Sequence, residues 1–212
     1  MHPRYRHVAR IYDTAFPFFS LGAGPRIHQK VAQTVPSASG STVLDAGCGT
    51  GLMLEMLRDR VGPAGKVIGI DVTEPMLERA RLRVAQAGWS NVELHCADMA
   101  DFVADTEFDA AVFTLSLSTV PDPASVFKHT LGHLRAGATV VVADGIPASG
   151  RWYHPLINRY ARFRAPFVGS DLERAAGIAK MMRDNLVDVR FEVMWKGLYT
   201  IVSGRTPSDL AA

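Results

Sequence analysis

Only two cysteines, Cys48 and Cys96, occur among the 212 residues, and neither lies in a CxxC pair. Two thiols can form at most one disulfide, which is too few to stabilise a fold of this size. We therefore expect a reducing compartment and a cytoplasmic protein. The N-terminal residues are charged and lack an apolar segment, which predicts that no signal peptide is present. No apolar run reaches the ~20 residues that cross a bilayer, so we expect any contact with lipid at the membrane surface.

Signatures of metal binding and nucleic-acid binding are also missing. The histidines are scattered and none belongs to an HExxH motif, so we expect no bound metal. The net charge of +2 is too small to indicate a nucleic-acid partner. The exception to this balance is the stretch 151–164, which contains four arginines, one histidine and no acid.

What the sequence does contain is an alternation of short apolar runs and longer segments with helical spacing. The alternation predicts parallel strands with helices on both faces of the sheet, and the apolar content of the first five strands predicts that both of their faces are buried. The predicted strands are 41–46, 66–71, 92–97, 108–115, 138–144, 187–195 and 198–203, and the predicted helices are 4–35, 52–61, 74–87 and 122–134.

The last two predicted strands are separated only by Lys196 and Gly197. A parallel pair needs a long crossover, so these two strands must pair antiparallel. The expected fold class is therefore α/β, a doubly wound and mostly parallel seven-stranded sheet that ends in an antiparallel hairpin. We predict one domain, with a helical cover (1–38), a ligand-binding core (40–145), an insert (146–186) and the hairpin (187–204).

The strongest local signal is the segment DAGCGTG, residues 45–51, between the first strand and its helix. Ligands of open α/β sheets bind at the carboxyl ends of the strands, and glycines there let a ligand approach the backbone. The dinucleotide pattern G-x-G-x-x-G would need glycine where Leu52 stands. A carboxylate here would repel a pyrophosphate but attract an ammonium group, which favours S-adenosylmethionine (SAM) over NAD or FAD. The ligand-binding residues predicted in this loop are Asp45, Gly47, Gly49 and Gly51.

Polar side chains stand at three further strand ends. Asp71 ends the second strand, where a carboxylate can accept from both ribose hydroxyls, and Thr73 is expected to cap the next helix and leave Asp71 free. After the third strand, Asp98 can accept from an adenine amino group while Met99 packs on the ring. Thr114 ends the fourth strand, where a backbone carbonyl can hold the SAM ammonium. The predicted cofactor contacts at these strand ends are Asp71, Val72, Asp98, Met99 and Thr114.

These segments resemble the successive motifs of class I SAM-dependent methyltransferases, which have a Rossmann-like fold. The resemblance covers residues 40–145 and is carried by VLDAGCGTG, VIGIDVTEPMLERAR, CADM, FDAAVFTLSLSTVPDP and LRAGATVVVADG. Within that superfamily the chain resembles the ubiquinone/menaquinone-biosynthesis C-methyltransferase group, through IYDTAFPFFSLG near its start and KGLYTIVSGR near its end. The segment VPDP and the small size are equally similar to the small bacterial phospholipid N-methyltransferases.

The resemblance implies SN2 transfer of a methyl group from SAM to an acceptor. A hydroxylated acceptor would need a base, and the candidates are Tyr12, His28 and His154, with Tyr12 and His154 carried forward as the predicted catalytic pair. Packing on the cofactor is an alternative role for Tyr12. The acceptor side is expected to be formed by the cover and the insert.

The insert contains a predicted helix with one apolar and one basic face. Its apolar residues are Trp152, Tyr153, Leu156, Ile157, Tyr160 and Phe163. Two interpretations stay open, a surface that contacts anionic lipid and a lid that packs on the sheet while its arginines are solvated. Both imply a hydrophobic small-molecule or lipid acceptor, such as a quinol precursor, a lipid or a secondary metabolite.

Three other functions are alternatives to this reading. A phospholipid N-methyltransferase is the nearest, a nucleotide-dependent oxidoreductase is opposed by Leu52 and Asp45, and a protein that binds SAM without catalysis would have the same loop. Methylation of nucleic-acid bases is disfavoured, because Ser116-Leu117-Ser118-Thr119 stands where such enzymes have an N-P-P-Y type of tetrapeptide.

Overall fold

The computed structural model describes residues 9, 12–147, 149–168 and 171–208. The strands are β1 (Thr42–Ala46), β2 (Lys66–Asp71), β3 (Val92–Cys96), β4 (Phe108–Thr114), β5 (Leu134–Asp144), β6 (Val187–Met194) and β7 (Tyr199–Arg205). The α-helices are α1 (Tyr12–Phe19), α2 (Gly24–Thr34), α3 (Leu54–Val61), α4 (Glu74–Ala87), α5 (Pro123–Leu131), α6 (His154–Val168) and α7 (Leu172–Asn185). Two short 3₁₀ turns, η1 (Leu117–Thr119) and η2 (Trp195–Gly197), complete the described secondary structure.

The strands of the described chain form one sheet in the order β3-β2-β1-β4-β5-β7-β6. Strands β1 to β5 are parallel, and β7 pairs antiparallel with both β5 and β6. The predicted doubly wound sheet with a C-terminal antiparallel hairpin is therefore confirmed. The strand order reverses between β1 and β4, and such a reversal opens a crevice at the carboxyl ends of the two strands.

Two apolar layers cover the sheet, one on each face. Helices α2 and α3 contribute Ile27, Val31, Leu54 and Leu57 to the first layer, all of them fully buried. Helices α5 and α7 contribute Val126, Phe127, Ile178 and Met182 to the second layer. Because β1, β4 and β5 lie between both layers, their side chains are buried on both sides and the crevice has a rigid floor.

The expectation that the first five strands are buried on both faces is wrong for β3. It lies at the edge of the sheet, and Glu93, His95 and Cys96 are exposed. Strand β5 starts at Leu134 rather than at 138, and the helix before it ends at Leu131. The turn between α5 and β5 is thus shorter than the sequence pattern indicated.

The N-terminal cover consists of two helices rather than the single helix predicted over 4–35. The break between α1 and α2 contains Leu21 and Gly22, both with positive φ, at 53° and 72°. A left-handed pair of residues ends an α-helix, so α1 and α2 can take different directions. Residues 4–8, 10 and 11 of the predicted helix lie outside the described residues.

The prediction that the helix of the insert, α6, has one apolar and one basic face is wrong. The helix starts at His154, and its buried side consists of His154, Ala161 and Ala165, with Ile157 partly buried. The larger apolar residues Trp152, Leu156, Tyr160 and Phe163 are exposed. The sequence pattern failed here because α6 has apolar residues on two opposite sides, and periodicity alone does not show which side meets the sheet.

Candidate functional site

The crevice between β1 and β4 contains two adjoining cavities. The larger has a volume of about 350 Å³ and is lined by the ends of β2, β3 and β4 and by the glycine loop after β1. The smaller, of about 40 Å³, lies between that loop and the N-terminal cover. Tyr12, Gly47, Gly49, Thr114 and Leu115 line both cavities, which therefore share a wall.

The three glycines of the loop all have positive φ, but they differ in the space beside them. A side chain at Gly47 would place its Cβ 2.5 Å from the Cβ of Ser116, and one at Gly51 would come within 2.7 Å of Leu54 Cδ1. These two glycines are required by packing within the protein. A Cβ at Gly49, where φ is 55°, would meet nothing within 4 Å. The space beside Gly49 is thus left open toward the cavities, which is the arrangement that a ligand in contact with the backbone requires.

Asp45 is a buried carboxylate without a partner. It is 1% exposed, and neither of its oxygens has a hydrogen-bond partner among the described residues. Burial, and next the charge of Asp71, raise the pKa of Asp45 to about 7. An ionised carboxylate in such surroundings is costly unless a cation or donor pairs with it. Asp45 lines the smaller cavity, so the missing partner has room to bind there.

Asp71 holds the glycine loop in place. Its Oδ2 accepts from the Gly49 N–H at 3.0 Å, and its Oδ1 accepts from the Thr73 N–H at 2.8 Å. The expectation that the Thr73 side chain caps α4 is wrong, because no capping hydrogen bond is present. Burial raises the pKa of Asp71 against the lowering effect of these two N–H donors and of a hydrogen bond from the Thr73 side chain. A carboxylate has about four acceptor sites, so Asp71 can still accept from a ligand hydroxyl.

The remaining predicted cofactor residues lie around the larger cavity. Val72, Asp98 and Met99 line it, and Asp98 also accepts from the Ala100 N–H at 3.0 Å. The Thr114 hydroxyl is buried and has no partner among the described residues. The next residue, Leu115, has a φ of 57°, a strained conformation for a branched side chain that is typical of functional sites. The structure therefore brings all nine predicted cofactor residues to one crevice, with Gly51 placed in its loop rather than in the cavity wall.

The cover is fastened to the loop by an ion-pair network that the sequence analysis missed. Asp13 Oδ1 accepts from the Thr50 hydroxyl at 2.6 Å, and Asp13 Oδ2 accepts from Arg83 Nη2 of α4 at 2.9 Å. This network positions α1 so that Tyr12 faces both cavities. The only signal in the sequence is the Tyr12-Asp13 pair within IYDTAFPFFSLG, which indicates a family resemblance but not this contact.

An aromatic stack continues inward from Tyr12. The Tyr12 and Phe16 rings lie 5.5 Å apart, and Phe16 in turn stacks on His28 at 5.3 Å. Burial lowers the pKa of His28 to about 4, so its imidazole is neutral at neutral pH. Phe16 and His28 line the smaller cavity, which makes its outer wall largely apolar.

The predicted catalytic residue His154 lines neither cavity. It is buried at the start of α6, edge-on to Tyr153, and its Nδ1 has no partner among the described residues. Arg174 of α7 is the opposite case, since it was not predicted but lines the larger cavity, where it donates to the Val120 carbonyl at 3.0 Å. Its position could not be read from the sequence because α7 lies far from the loop along the chain.

Within the described part of the chain, no three His, Cys, Asp or Glu side chains are grouped as a metal site. Two of the scattered histidines, His129 and His133, do have an HxxxH spacing, and their rings lie 4.7 Å apart. One nitrogen of each ring is hydrogen-bonded to a backbone carbonyl: His129 Nε2 to Phe102 at 2.7 Å, and His133 Nδ1 to His129 at 3.0 Å. Over the same described residues, no helix combines the length and apolar character needed to span a bilayer.

Comparison with known proteins gives consistent matches. Residues 37–193 match a family described as a methyltransferase domain. Nocamycin O-methyltransferase of Saccharothrix syringae is 30% identical, over 84% of this chain and 71% of that protein. Demethylmenaquinone methyltransferase of Desulfitobacterium hafniense is 27% identical, over 96% of this chain and 88% of that protein. The N-methyltransferase NodS of Bradyrhizobium japonicum, solved with S-adenosyl-L-homocysteine, has the same Rossmann-like fold, with a TM-score of 0.65 at 18% identity over 86% of this chain and 87% of that one.

Proposed function

Since the chain belongs to the class I SAM-dependent methyltransferases, we propose that it binds SAM in the crevice between β1 and β4 and methylates a hydrophobic small molecule. The observation that carries the proposal is the buried, unpartnered carboxylate of Asp45 beside the open glycine loop. A dinucleotide would bring a pyrophosphate to this loop, where the carboxylate would repel it. The amino-acid part of SAM instead brings an ammonium group, which supplies the cation that Asp45 lacks.

The other residues of the crevice fit the rest of SAM. Asp71 would accept from a ribose hydroxyl at the acceptor site that Gly49 and Thr73 leave unused. Val72 and Met99 offer apolar surfaces for the adenine ring, and Asp98 offers an acceptor for its amino group. The buried Thr114 hydroxyl is a second group without a partner among the described residues, and it lines the smaller cavity together with Asp45.

When bound, SAM supplies a methyl group attached to a positively charged sulfur, and a nucleophilic atom of the acceptor would bond to the methyl carbon as the carbon–sulfur bond breaks and SAH leaves. The protein's task is to hold the acceptor in line and to exclude water, and such placement contributes roughly 7–11 kcal/mol to lowering a barrier. Asp13 and Thr50 hold α1 over the crevice, and Tyr12 closes the wall that both cavities share.

A hydrophobic acceptor is supported by the composition of the cover. Tyr12, Phe16 and the neutral His28 present a continuous aromatic stack beside the smaller cavity. The two curated relatives described above carry the names of small-molecule methyltransferases, for nocamycin and for demethylmenaquinone. Tyr12 is the group we propose to meet the acceptor. Of the predicted catalytic pair it stays the candidate for proton transfer, because His154 lines neither cavity.

Calorimetric titration with S-adenosyl-L-homocysteine (SAH), SAM and NAD tests the donor assignment. We expect binding of SAH and SAM and none of NAD; uptake of NAD alone would contradict the assignment. Transfer of tritium from labelled SAM into a panel of quinol precursors, phosphatidylethanolamine and cell extract then tests the acceptor class. Label in a quinol precursor supports the proposal, whereas label in phosphatidylethanolamine alone would identify a phospholipid N-methyltransferase.

A further inference from the structure

Helix α6 exposes a row of large apolar side chains. The row consists of Trp152 in the turn before the helix and Leu156, Tyr160 and Phe163 in it, with exposed fractions of 85%, 55%, 39% and 71%. The spacing of four and three residues places Leu156, Tyr160 and Phe163 on one side of α6, and Trp152 precedes them in the turn. The opposite side, through His154, Ala161 and Ala165, is buried against the protein.

Burial on one side does not explain apolar residues on the other. The buried side of α6 already packs next to η2 and shares an apolar layer with Leu198 and Tyr199 of the hairpin. Large contiguous apolar surfaces on a folded protein mark sites of interaction with another molecule or a membrane. We call the exposed row, with the arginines beside it, the α6 surface.

The charges beside the row indicate what that molecule is. Arg151, Arg159 and Arg162 are exposed, and none of the three forms an ion pair with another described residue. Between Gly145 and Ser170 the sequence contains no acid at all. Exposed aromatic side chains flanked by unpaired arginines are complementary to the interface of a bilayer with anionic head groups.

We propose that the α6 surface docks the protein on anionic lipid membranes, with Trp152 and Phe163 entering the interface and the arginines contacting head groups. A second copy of the chain is a less suitable occupant, because a symmetric contact would place the arginines of the two copies against each other. The proposal does not depend on the proposed function, and its test does not use enzymatic activity.

Vesicle sedimentation with the full chain tests the proposal. The vesicles consist either of phosphatidylcholine alone or of phosphatidylcholine mixed with phosphatidylglycerol. The double variants are Trp152→Ser with Phe163→Ser, and Arg159→Gln with Arg162→Gln. Matched controls change exposed residues elsewhere: Leu82→Ser with Val103→Ser removes apolar surface, and Arg190→Gln with Arg205→Gln removes the same charge. Thermal unfolding of every variant shows whether the fold is retained.

We expect the wild type and both controls to bind the anionic vesicles, to bind neutral vesicles weakly, and to lose binding at high salt. Loss of the two arginines should weaken binding roughly thirtyfold, since each contributes about 1 kcal/mol near an anionic surface. Loss of Trp152 and Phe163 should abolish measurable binding. Equal binding to neutral vesicles, equal loss in the matched controls, or a wild-type dimer that the double variants dissolve would each overturn the proposal. So would an absence of wild-type binding to anionic vesicles.

Discussion

Replacing Asp45 with asparagine should stabilise the ligand-free protein and at the same time weaken its ligand binding. Asparagine has nearly the same shape and keeps one acceptor oxygen, so the packing around position 45 should hardly change. What the substitution removes is a negative charge that is buried, without a partner among the described residues, and close enough to Asp71 to be repelled by it.

The magnitude follows from the pKa of Asp45, which rises from 3.8 to about 7 on folding. A raised pKa means that the folded state holds the proton more tightly than the unfolded chain. The stability contributed by this group is therefore complete below pH ~4 and is lost as the pH rises through about 7. At alkaline pH the ionised carboxylate costs the fold about 4 kcal/mol, since each tenfold change in proton affinity corresponds to about 1.4 kcal/mol.

The assay is urea unfolding of wild type and Asp45→Asn at several pH values, with Asp105→Asn as a control at an exposed position. The buried amide NH2 of asparagine would also lack a partner among the described residues, which offsets about 1–3 kcal/mol of this gain. We therefore expect Asp45→Asn to be more stable than wild type by about 1–3 kcal/mol above neutral pH, and this advantage should disappear as the solution is acidified. Calorimetry should show SAH affinity reduced roughly ten- to hundredfold, the range expected for a lost hydrogen bond to a charged group. An Asp45→Asn protein that is less stable than wild type at alkaline pH, or that binds SAH with unchanged affinity, would refute the reasoning.

Three other predictions follow from the same crevice. Gly49→Val should abolish SAH binding in calorimetry while Gly88→Val, a residue with similar positive φ and equally open space, should not; equal affinities in the two variants would remove Gly49 from the site. Asp71→Ala should reduce SAH affinity more than Asp71→Asn, because only the amide retains an acceptor for the Gly49 N–H, and identical losses would argue against that role. His28 has a depressed pKa, so the fold should lose up to about 3 kcal/mol as the pH falls from 6.5 to about 4; urea unfolding of His28→Leu should show a flatter acid dependence, and an unchanged profile would contradict the assignment.

The sheet and the ligand loop were predictable because their signals are local. The central strands β1, β2 and β4 are short and mostly apolar runs, and the glycines of 45–51 mark positions where the backbone has a positive φ. The antiparallel hairpin followed from chain geometry, since η2 is too short for a crossover. These features depend on residues close together along the chain, which is the range over which a single sequence is informative.

Most features of the site that were missed depend on contacts between distant segments. No pattern shows that Asp45 lacks a partner, because that depends on every element packed around it. The bond from Thr50 to Asp13 joins residues 37 positions apart, and the lining role of Arg174 requires α7 to return to the crevice. The orientation of α6 was missed for a different reason. This helix has apolar residues on two opposite sides, so the sequence does not show which side packs against the protein.

The attachment of α1 to the glycine loop has a consequence for the exchange of the proposed cofactor. Asp13 is held at once by Thr50 of the loop and by Arg83 and Arg79 of α4, so the wall containing Tyr12 moves outward only when these contacts break together. In the proposed binding mode, spent cofactor lies behind that wall and exchanges with bulk solvent through this opening.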